Sequence, residues 1–198
     1  MGKAYANRKP VSERPEADFY STPYSLTWEL IKLNEFPSGS TIYEPASGSG
    51  AIASQLEKAG FIVMQDDIRT TGKDFLECSN RHDFIVTNPP FSLFDEFVIK
   101  AKECSKKFAF IMKTNFLGAH SRQEMGIWKG LKSLYVFDRQ IDYRTPLLDS
   151  GELCVGNLIT GWGIWDMDWK EDYFKTSILS VHKYCRLGGY DSYLKKSN

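Results

Sequence analysis

Short apolar runs alternate with helical stretches along this chain, and this rhythm constrains the fold more than any other feature. TIYEPA, FIVMQDD, DFIVTNPP and KFAFIMKTN read as strands. AIASQLEKAG, ended by Gly60, and SLFDEFVIKAKECSK read as helices, and a first helix starts near Pro23 in STPYSLTWELIKLNEF. Strands separated by helices at this spacing indicate crossover connections, so we predict an α/β fold with a mostly parallel sheet.

Two later apolar runs, LKSLYVFDRQ and LCVGNLITGWGIWD, are joined by a polar loop and predict a final antiparallel pair. We therefore expect about seven strands with helices on both faces. Residues 1–17 are polar and contain two prolines, which is typical of a flexible arm. Residues 18–198 are expected to form a single domain, since too few residues follow Asp166 for another one.

Composition excludes several function classes. Lys+Arg and Asp+Glu both total 25, so any binding site for a polyanion must be local. Four scattered cysteines, without a CxxC motif or a histidine cluster, fit reduced thiols and predict no structural metal. No apolar stretch approaches the ~18 residues of a membrane span, so we expect a cytoplasmic protein that does not engage a membrane. The histidines stand at no recognisable spacing and receive no role.

The stretch TIYEPASGSGAIA runs from a strand through small residues into a helix. Gly48 and Gly50 let a ligand approach the backbone at the carboxyl edge of a parallel strand. The stretch is not a P-loop, because no Lys-Ser/Thr pair follows, and it lacks the third glycine of GxGxxG. Glu44, at the strand end, is placed to meet a cationic amine. A purely structural glycine turn is the alternative.

Acidic residues follow at the spacing of nucleoside-binding folds. Asp67 lies at the end of the second strand, where such folds place an acceptor for ribose hydroxyls, although adjacent Asp66 fits equally well. In KDFL, Asp74 is a candidate acceptor for an adenine amine and Phe75 a candidate ring wall. Solvated turn acids remain the alternative interpretation.

TNPPF places two prolines directly after the strand DFIVT. Methylation of an amine on an aromatic base requires acceptors that draw the nitrogen lone pair out of conjugation. The Asn88 side-chain oxygen and the Pro89 carbonyl could take the two N–H hydrogens, with Pro90 keeping the loop rigid. Phe91 could stack on the base, a contact worth roughly 1–3 kcal/mol in nucleic-acid binders. A merely rigid loop is the alternative.

These stretches together resemble the adenine-N6 DNA methyltransferases that use S-adenosylmethionine, in a small phage-like form. EPASGSG is similar to the cofactor loop of that family, NPPF to its catalytic tetrapeptide and DFYSTP to the element that contacts the methionine carboxylate. The resemblance covers roughly residues 17–166. It implies a Rossmann-like class I methyltransferase fold, S-adenosyl-L-methionine as cofactor, and transfer of its methyl group to adenine in DNA after base flipping, with RNA as the alternative substrate.

The resemblance also assigns roles to individual residues. The implied catalytic residues are Asn88, Pro89, Pro90 and Phe91. The implied cofactor-binding residues are Thr22, Pro23, Glu44, Ala46, Gly48, Gly50, Asp67, Asp74 and Phe75. Trp162 and Trp165 in GWGIW resemble a late aromatic strand that walls the flipped base, but an ordinary core strand is the other interpretation.

The chain departs from the family in having no room for a large target-recognition domain, which implies low or short-site specificity and would suit evasion of restriction. Candidate phosphate contacts are Arg8, Lys9, Arg14, Arg139, Tyr143 and Arg144. An enzyme of this fold that acts on RNA adenine or a protein glutamine amide, and an inactive methyltransferase-like binding subunit, remain open alternatives. The oligomeric state is open as well.

Overall fold

A computed structural model describes residues 22–143, 153 and 155–181 of the chain. Within these residues one sheet contains seven strands: Thr41–Glu44 (β1), Ile62–Gln65 (β2), Phe84–Thr87 (β3), Lys107–Lys113 (β4), Leu131–Phe137 (β5), Thr160–Asp166 (β6) and Lys175–Leu179 (β7). The α-helices are Tyr24–Lys32 (α1), Ala51–Lys58 (α2), Phe94–Cys104 (α3) and His120–Glu124 (α4). Short 3₁₀ turns span Phe75–Glu77, Phe91–Leu93 and Thr114–Gly118.

The sheet has the order β2-β1-β3-β4-β6-β5-β7. Strand β6 is antiparallel to both of its neighbours, and the other pairs are parallel. The predicted α/β class, the mostly parallel sheet and the antiparallel pairing of the two late runs are therefore confirmed.

Helices cover both faces of the sheet, as predicted. Side chains from α1 and α2, such as Leu26 and Leu56, pack with Ile42 of β1 on one face. The rings of α3, including Phe97, pack with Tyr43 on the other. Adjacent residues of β1 thus enter different cores, as the pleat requires.

One edge strand of the sheet was not apparent from the sequence. Strand β7 was not identified among the apolar runs, and it adds to β5 in parallel. The connection between β2 and β3 contains only the 3₁₀ turn Phe75–Glu77 instead of a crossover helix. Ile62 and Met64 of the edge strand β2 are consequently 61% and 51% exposed.

Several predictions concern positions outside the described residues. These are the arm of residues 1–17, with Arg8, Lys9 and Arg14, as well as Arg144, Cys154, Cys185 and His182. Cys78 and Cys104 carry free thiols. In the part of the chain that the structure covers, every helix is too short or too polar to cross a bilayer.

Candidate active site

The glycine turn and the Asn-Pro-Pro-Phe stretch leave the sheet side by side. Strands β1 and β3 are parallel neighbours, with Ile42 opposite Phe84 and Tyr43 opposite Ile85. The segment after Glu44 and the segment after Thr87 therefore emerge at the same carboxyl edge. Ligands of open α/β sheets bind at this kind of edge.

Backbone geometry explains why glycine occurs in the turn. Gly48 and Gly50 have φ of 53° and 74°, in the left-handed region that glycine adopts without a Cβ penalty. The Gly50 amide donates to the Ser47 carbonyl at 2.7 Å, and Gly50 is the N-cap of α2. Ala46 precedes this turn and packs partly against the core under α3. The turn delivers the chain directly from β1 into the first turn of a helix.

Glu44 is the most deeply buried acid of the site, with 1% of its surface exposed. Its Oε2 accepts a hydrogen bond of 2.8 Å from the Ala53 amide of α2. Burial raises the pKa of this carboxyl to about 8, with a further increase from Asp67 and only partial compensation by the Ala53 amide. A cation placed against Glu44 would stabilise its charged form, which fits the predicted contact with an amine.

Asp67 holds the glycine turn from the side of β2. Its Oδ2 accepts from the Gly48 amide at 3.0 Å and its Oδ1 from the Arg69 amide at 2.8 Å. Asp66 instead accepts from the Tyr43 hydroxyl at 3.2 Å and pairs with Lys73 at 2.9 Å. Both acids thus have protein partners, and the choice between them for a ribose hydroxyl stays a prediction.

Asp74 and Phe75 begin the 3₁₀ turn between β2 and β3. The Asp74 carboxylate caps this turn by accepting from the Leu76 amide at 3.0 Å. The Phe75 ring is 2% exposed and packs against Tyr43 and Phe97. The ring therefore belongs to the core beneath α3, and its contact with adenine stays a prediction.

Asn88 is joined to the start of α1 by its amide nitrogen. Its Nδ2 donates to Thr22 Oγ1 at 3.1 Å, which brings together the STP and NPPF elements across 66 positions of sequence. The Asn88 Oδ1 is buried and has no hydrogen-bond partner among the described residues. Because Thr22 accepts from Asn88, its own hydroxyl hydrogen can be donated elsewhere. Pro23, with φ of −56°, is the N-cap of α1.

The two prolines differ in the use of their carbonyl groups. The Pro90 carbonyl accepts from the Leu93 amide at 2.9 Å and so begins the 3₁₀ turn Phe91–Leu93. Pro89 is buried. Since the Pro90 carbonyl is engaged in the turn, the role of the Pro89 carbonyl as the second acceptor stays a prediction.

Phe91 is 7% exposed in an aromatic cluster. Its ring lies 6.2 Å from Phe116 and 5.8 Å from Tyr143, both in edge-to-face geometry. The Lys113 ammonium lies 4.6 Å from the ring centroid. Lys113 and Phe116 were not predicted as site residues. The available signal was their position at the end of β4 and in the turn that follows it, since β4 is the strand next to β3.

Tyr143 is placed differently from the prediction of a phosphate contact. It is 2% exposed, and its hydroxyl lies 2.8 Å from Thr160 Oγ1. Burial against Phe91 makes Tyr143 part of the site wall and keeps it from a phosphate. Arg139 is partly exposed and donates from Nε to the Val181 carbonyl at 2.8 Å.

The tryptophans of β6 are core residues. Trp162 and Trp165 have no exposed surface. Their indole N–H groups donate to the Leu26 carbonyl at 2.7 Å and to the Ile127 carbonyl at 3.0 Å. The interpretation as a core strand is correct, and the interpretation as a wall for a flipped base is wrong.

A cavity of about 550 Å³ adjoins the glycine turn. It is lined by Ser47, Gly48, Ser49, Gly50, Ser54, Glu57, Gln65, Thr70 and Thr71. Residues 88–91 do not line it, so this cavity alone does not join the two predicted halves of the site.

Comparison with solved structures shows a shared fold. A candidate RNA methyltransferase from Pyrococcus horikoshii matches with a TM-score of 0.54 and 17% identity over 78% of this chain and 88% of that one. The type IIG restriction endonuclease BpuSI matches at 0.52 and 12%, over 75% of this chain and 24% of its own. The M protein of the type I restriction enzyme EcoKI matches at 0.51 and 12%, over 82% and 49%.

At these identities the structural matches establish a Rossmann-like fold and no more. A search of curated proteins gives no match. The family model described as "Adenine-specific methyltransferase EcoRI" matches residues 30–135, which is more than half of the chain and includes the glycine turn and the Asn-Pro-Pro-Phe stretch. This chain therefore belongs to the family of the adenine-specific methyltransferase EcoRI.

Proposed function

We propose that this protein transfers a methyl group from S-adenosyl-L-methionine to the N6 amine of adenine in DNA, with low or short-site sequence specificity. The observation that carries the proposal is the buried Asn88 Oδ1, which has no partner among the described residues at the carboxyl end of β3. A buried acceptor without a donor costs about 1–3 kcal/mol. An exocyclic amine is a donor that would remove this cost.

The chain supplies two fixed acceptors for that amine. Asn88 Oδ1 would take one N–H hydrogen and the Pro89 carbonyl the other, which directs the nitrogen lone pair out of the ring plane. The bond from Asn88 to Thr22 fixes the side-chain amide, and the proline φ angles fix the carbonyl. Because these acceptors are positioned before the substrate arrives, little reorganisation is needed in the transition state.

Several features fit S-adenosylmethionine, the methyl donor that the family implies. When bound, it supplies an electrophilic methyl group on a sulfonium. Glu44 is a buried acid whose charged form an ammonium group would stabilise. Gly48 and Gly50 provide close backbone approach, and the Thr22 hydroxyl can donate to a carboxylate. We assign Pro23, Ala46, Asp67, Asp74 and Phe75 to the remaining cofactor contacts on the basis of the resemblance.

The proposal also names DNA as the nucleic acid that carries the target adenine. The family description specifies adenine, and two structural matches are parts of restriction enzymes. The short connection between β2 and β3 adds no recognition element, in line with low specificity. Extrusion of the base from a duplex costs a few kcal/mol, so we expect single-stranded DNA to react at least as well.

The test is mass spectrometry of nucleosides after the purified protein and labelled S-adenosylmethionine are incubated separately with DNA, RNA and a glutamine-containing protein. We expect N6-methyladenine in DNA. Methyl transfer only to RNA or to glutamine would replace the substrate in the proposal. Cofactor binding by calorimetry without transfer to any substrate would support an inactive binding subunit instead.

Asn88→Ala tests the mechanism directly. We expect cofactor affinity within about threefold of the parent chain and a loss of at least a hundredfold in turnover, because the lost acceptor acts mainly in the transition state. Thr22→Val is the matched control for stability in urea denaturation, since it removes the same hydrogen bond; it is not a control for turnover, because Thr22 is itself proposed to contact the cofactor. Unaltered turnover in Asn88→Ala, measured by label incorporation, would contradict the assignment.

A further inference from the structure

A lysine occupies the face of the ring on which the base is proposed to stack. Lys113 is the last residue of β4, and its ammonium lies 4.6 Å from the Phe91 centroid and 5.7 Å from that of Phe116. Since Thr87 pairs with Phe110, Lys113 lies at the level of the Asn-Pro-Pro-Phe stretch. This lysine therefore projects into the proposed substrate side of the site.

The Lys113 ammonium has no carboxylate partner among the described residues. Neighbouring Arg122 shows the contrast: it also lies over Phe116, at 4.2 Å, but its Nε is paired with Asp95 at 2.6 Å. A cation over an aromatic ring gains only about 0.5–2 kcal/mol. Lys113 can therefore exchange the ring for an anion at small cost.

Stacking of a base requires this lysine to move. Phe91 is only 7% exposed, and an ammonium 4.6 Å from the centroid covers space that a stacked base would need. The other ring neighbours, Phe116 and Tyr143, are rigid aromatic groups, and Tyr143 is fully packed. Of these three neighbours of the Phe91 ring, Lys113 has the flexible side chain, and it is partly exposed to solvent.

We propose that Lys113 is a substrate-binding residue that covers Phe91 in the unbound protein and contacts a backbone phosphate next to the target base when that base stacks on Phe91. This inference rests on the proposed function. It replaces the phosphate contact that Tyr143 cannot make. One ammonium thereby protects the ring from water before binding and neutralises one phosphate after it.

The experiment compares Lys113→Met and Lys113→Arg with the control Lys106→Met. Lys106 is an exposed lysine just before the opposite end of β4, about 23 Å away along the strand. Binding of a fluorescein-labelled, adenine-containing single-stranded DNA oligonucleotide is measured by polarisation between 50 and 200 mM salt. Label transfer to the same oligonucleotide is measured in parallel.

In Lys113→Met we expect the slope of log K against log salt to decrease in magnitude by about 0.7, the value for one phosphate on a single strand. We also expect the KM for the oligonucleotide to rise about tenfold in Lys113→Met. In Lys113→Arg, which keeps the positive charge, the salt slope and the KM should both stay close to those of the parent chain. Lys106→Met should change neither. Equal slopes for Lys113→Met and Lys106→Met would overturn the inference. If the parent chain transfers no label to DNA, the proposed function fails on that result, and the slopes still decide the role of Lys113.

Discussion

At the scale of the residue, two buried polar side chains at the carboxyl edge of the sheet have some of their hydrogen-bonding atoms paired within the protein and others not. Asn88 is held through its nitrogen by Thr22, while its oxygen has no donor within the described part of the chain. Glu44 receives one amide hydrogen bond from Ala53 and is otherwise buried. Groups of this kind reduce stability in the absence of a ligand and are available for binding.

Glu44 should make the stability of the protein depend on pH. Its pKa is raised from 4.5 in the reference state to about 8 in the fold, so the folded state keeps a proton that the unfolded chain releases. The free energy of unfolding should therefore fall as pH rises from about 4.5 through about 8. Each pKa unit corresponds to ~1.4 kcal/mol, so we expect a loss of a few kcal/mol from this group.

Urea denaturation at pH 6 and pH 9 tests this expectation. Glu44→Gln keeps an oxygen for the Ala53 amide and cannot ionise, so its stability should change much less between the two pH values. Glu171→Gln is the matched control, because Glu171 is an exposed acid that does not contribute to the raised pKa of Glu44. An equal pH dependence in the Glu44 variant and the parent chain would show that another group is responsible.

Candidate site residues could be selected from the sequence, but their contacts could not be predicted. Asn88 and Glu44 were selected because their types and positions at strand ends suit amine chemistry. The burial of Tyr143 and the position of Lys113 over Phe91 depend on β5, β6 and β4 meeting at one edge. Such contacts between distant segments leave no local pattern.

At the scale of the element, the left-handed backbone conformation of the turn between β1 and α2 explains why glycine occurs there. Gly50 joins β1 to α2 with a φ of 74°, and a Cβ there would lie 3.4 Å from Gln65 Oε1. Gly39 has almost the same φ, 75°, but no atom within 4 Å of its Cβ position. Substitutions at these two glycines therefore allow the cost of backbone strain, which both share, to be distinguished from an effect on the candidate site, which only Gly50 can have.

We predict that Gly50→Ala and Gly39→Ala each lose about 1–2 kcal/mol of stability, since a left-handed conformation penalises a Cβ by that amount. Only Gly50→Ala should also weaken binding of S-adenosylmethionine, because of these two glycines only Gly50 belongs to the turn that is proposed to bind the cofactor. Thermal denaturation and calorimetry measure the two effects. Equal cofactor affinity in both variants would remove Gly50 from the site.

The elements were predictable where an apolar period marks them. Strands β1, β3 and β4 and helices α1 to α3 lie within the predicted runs, since each has residues in a core. Strand β7 has largely exposed side chains and, among the described residues, pairs only with β5. Its formation depends on the edge that β5 offers, so its own sequence gave no apolar period to detect.

At the scale of the whole molecule, β6 joins the two cores. Trp162 and Trp165 are three residues apart in a strand, so their side chains lie on opposite faces. Trp162 is tied to Leu26 of α1, and Trp165 to Ile127 before β5. Leu26 lies one turn after Thr22, the partner of Asn88. The core thus supports the placement of the proposed catalytic amide.

Trp162→Phe should reduce stability by about 2 kcal/mol, because a buried carbonyl loses its indole donor and the smaller ring leaves space. Trp169→Phe is the control, since it removes an indole hydrogen bond to the Tyr173 carbonyl at the surface. Urea denaturation of both variants measures the difference. Equal losses would mean that the link to α1 contributes no more than a surface contact.

The antiparallel direction of β6 provides a place in the fold where selectivity for a nucleic-acid sequence could be added. Because β5 ends and β6 begins at the same edge as the Asn-Pro-Pro-Phe stretch, the connection between these two strands starts and finishes at that edge, and Tyr143, a described residue of this connection, already contacts Phe91. Lengthening this connection would leave every strand pairing intact. An inserted subdomain grafted there would meet the nucleic acid without any redesign of the scaffold beneath it.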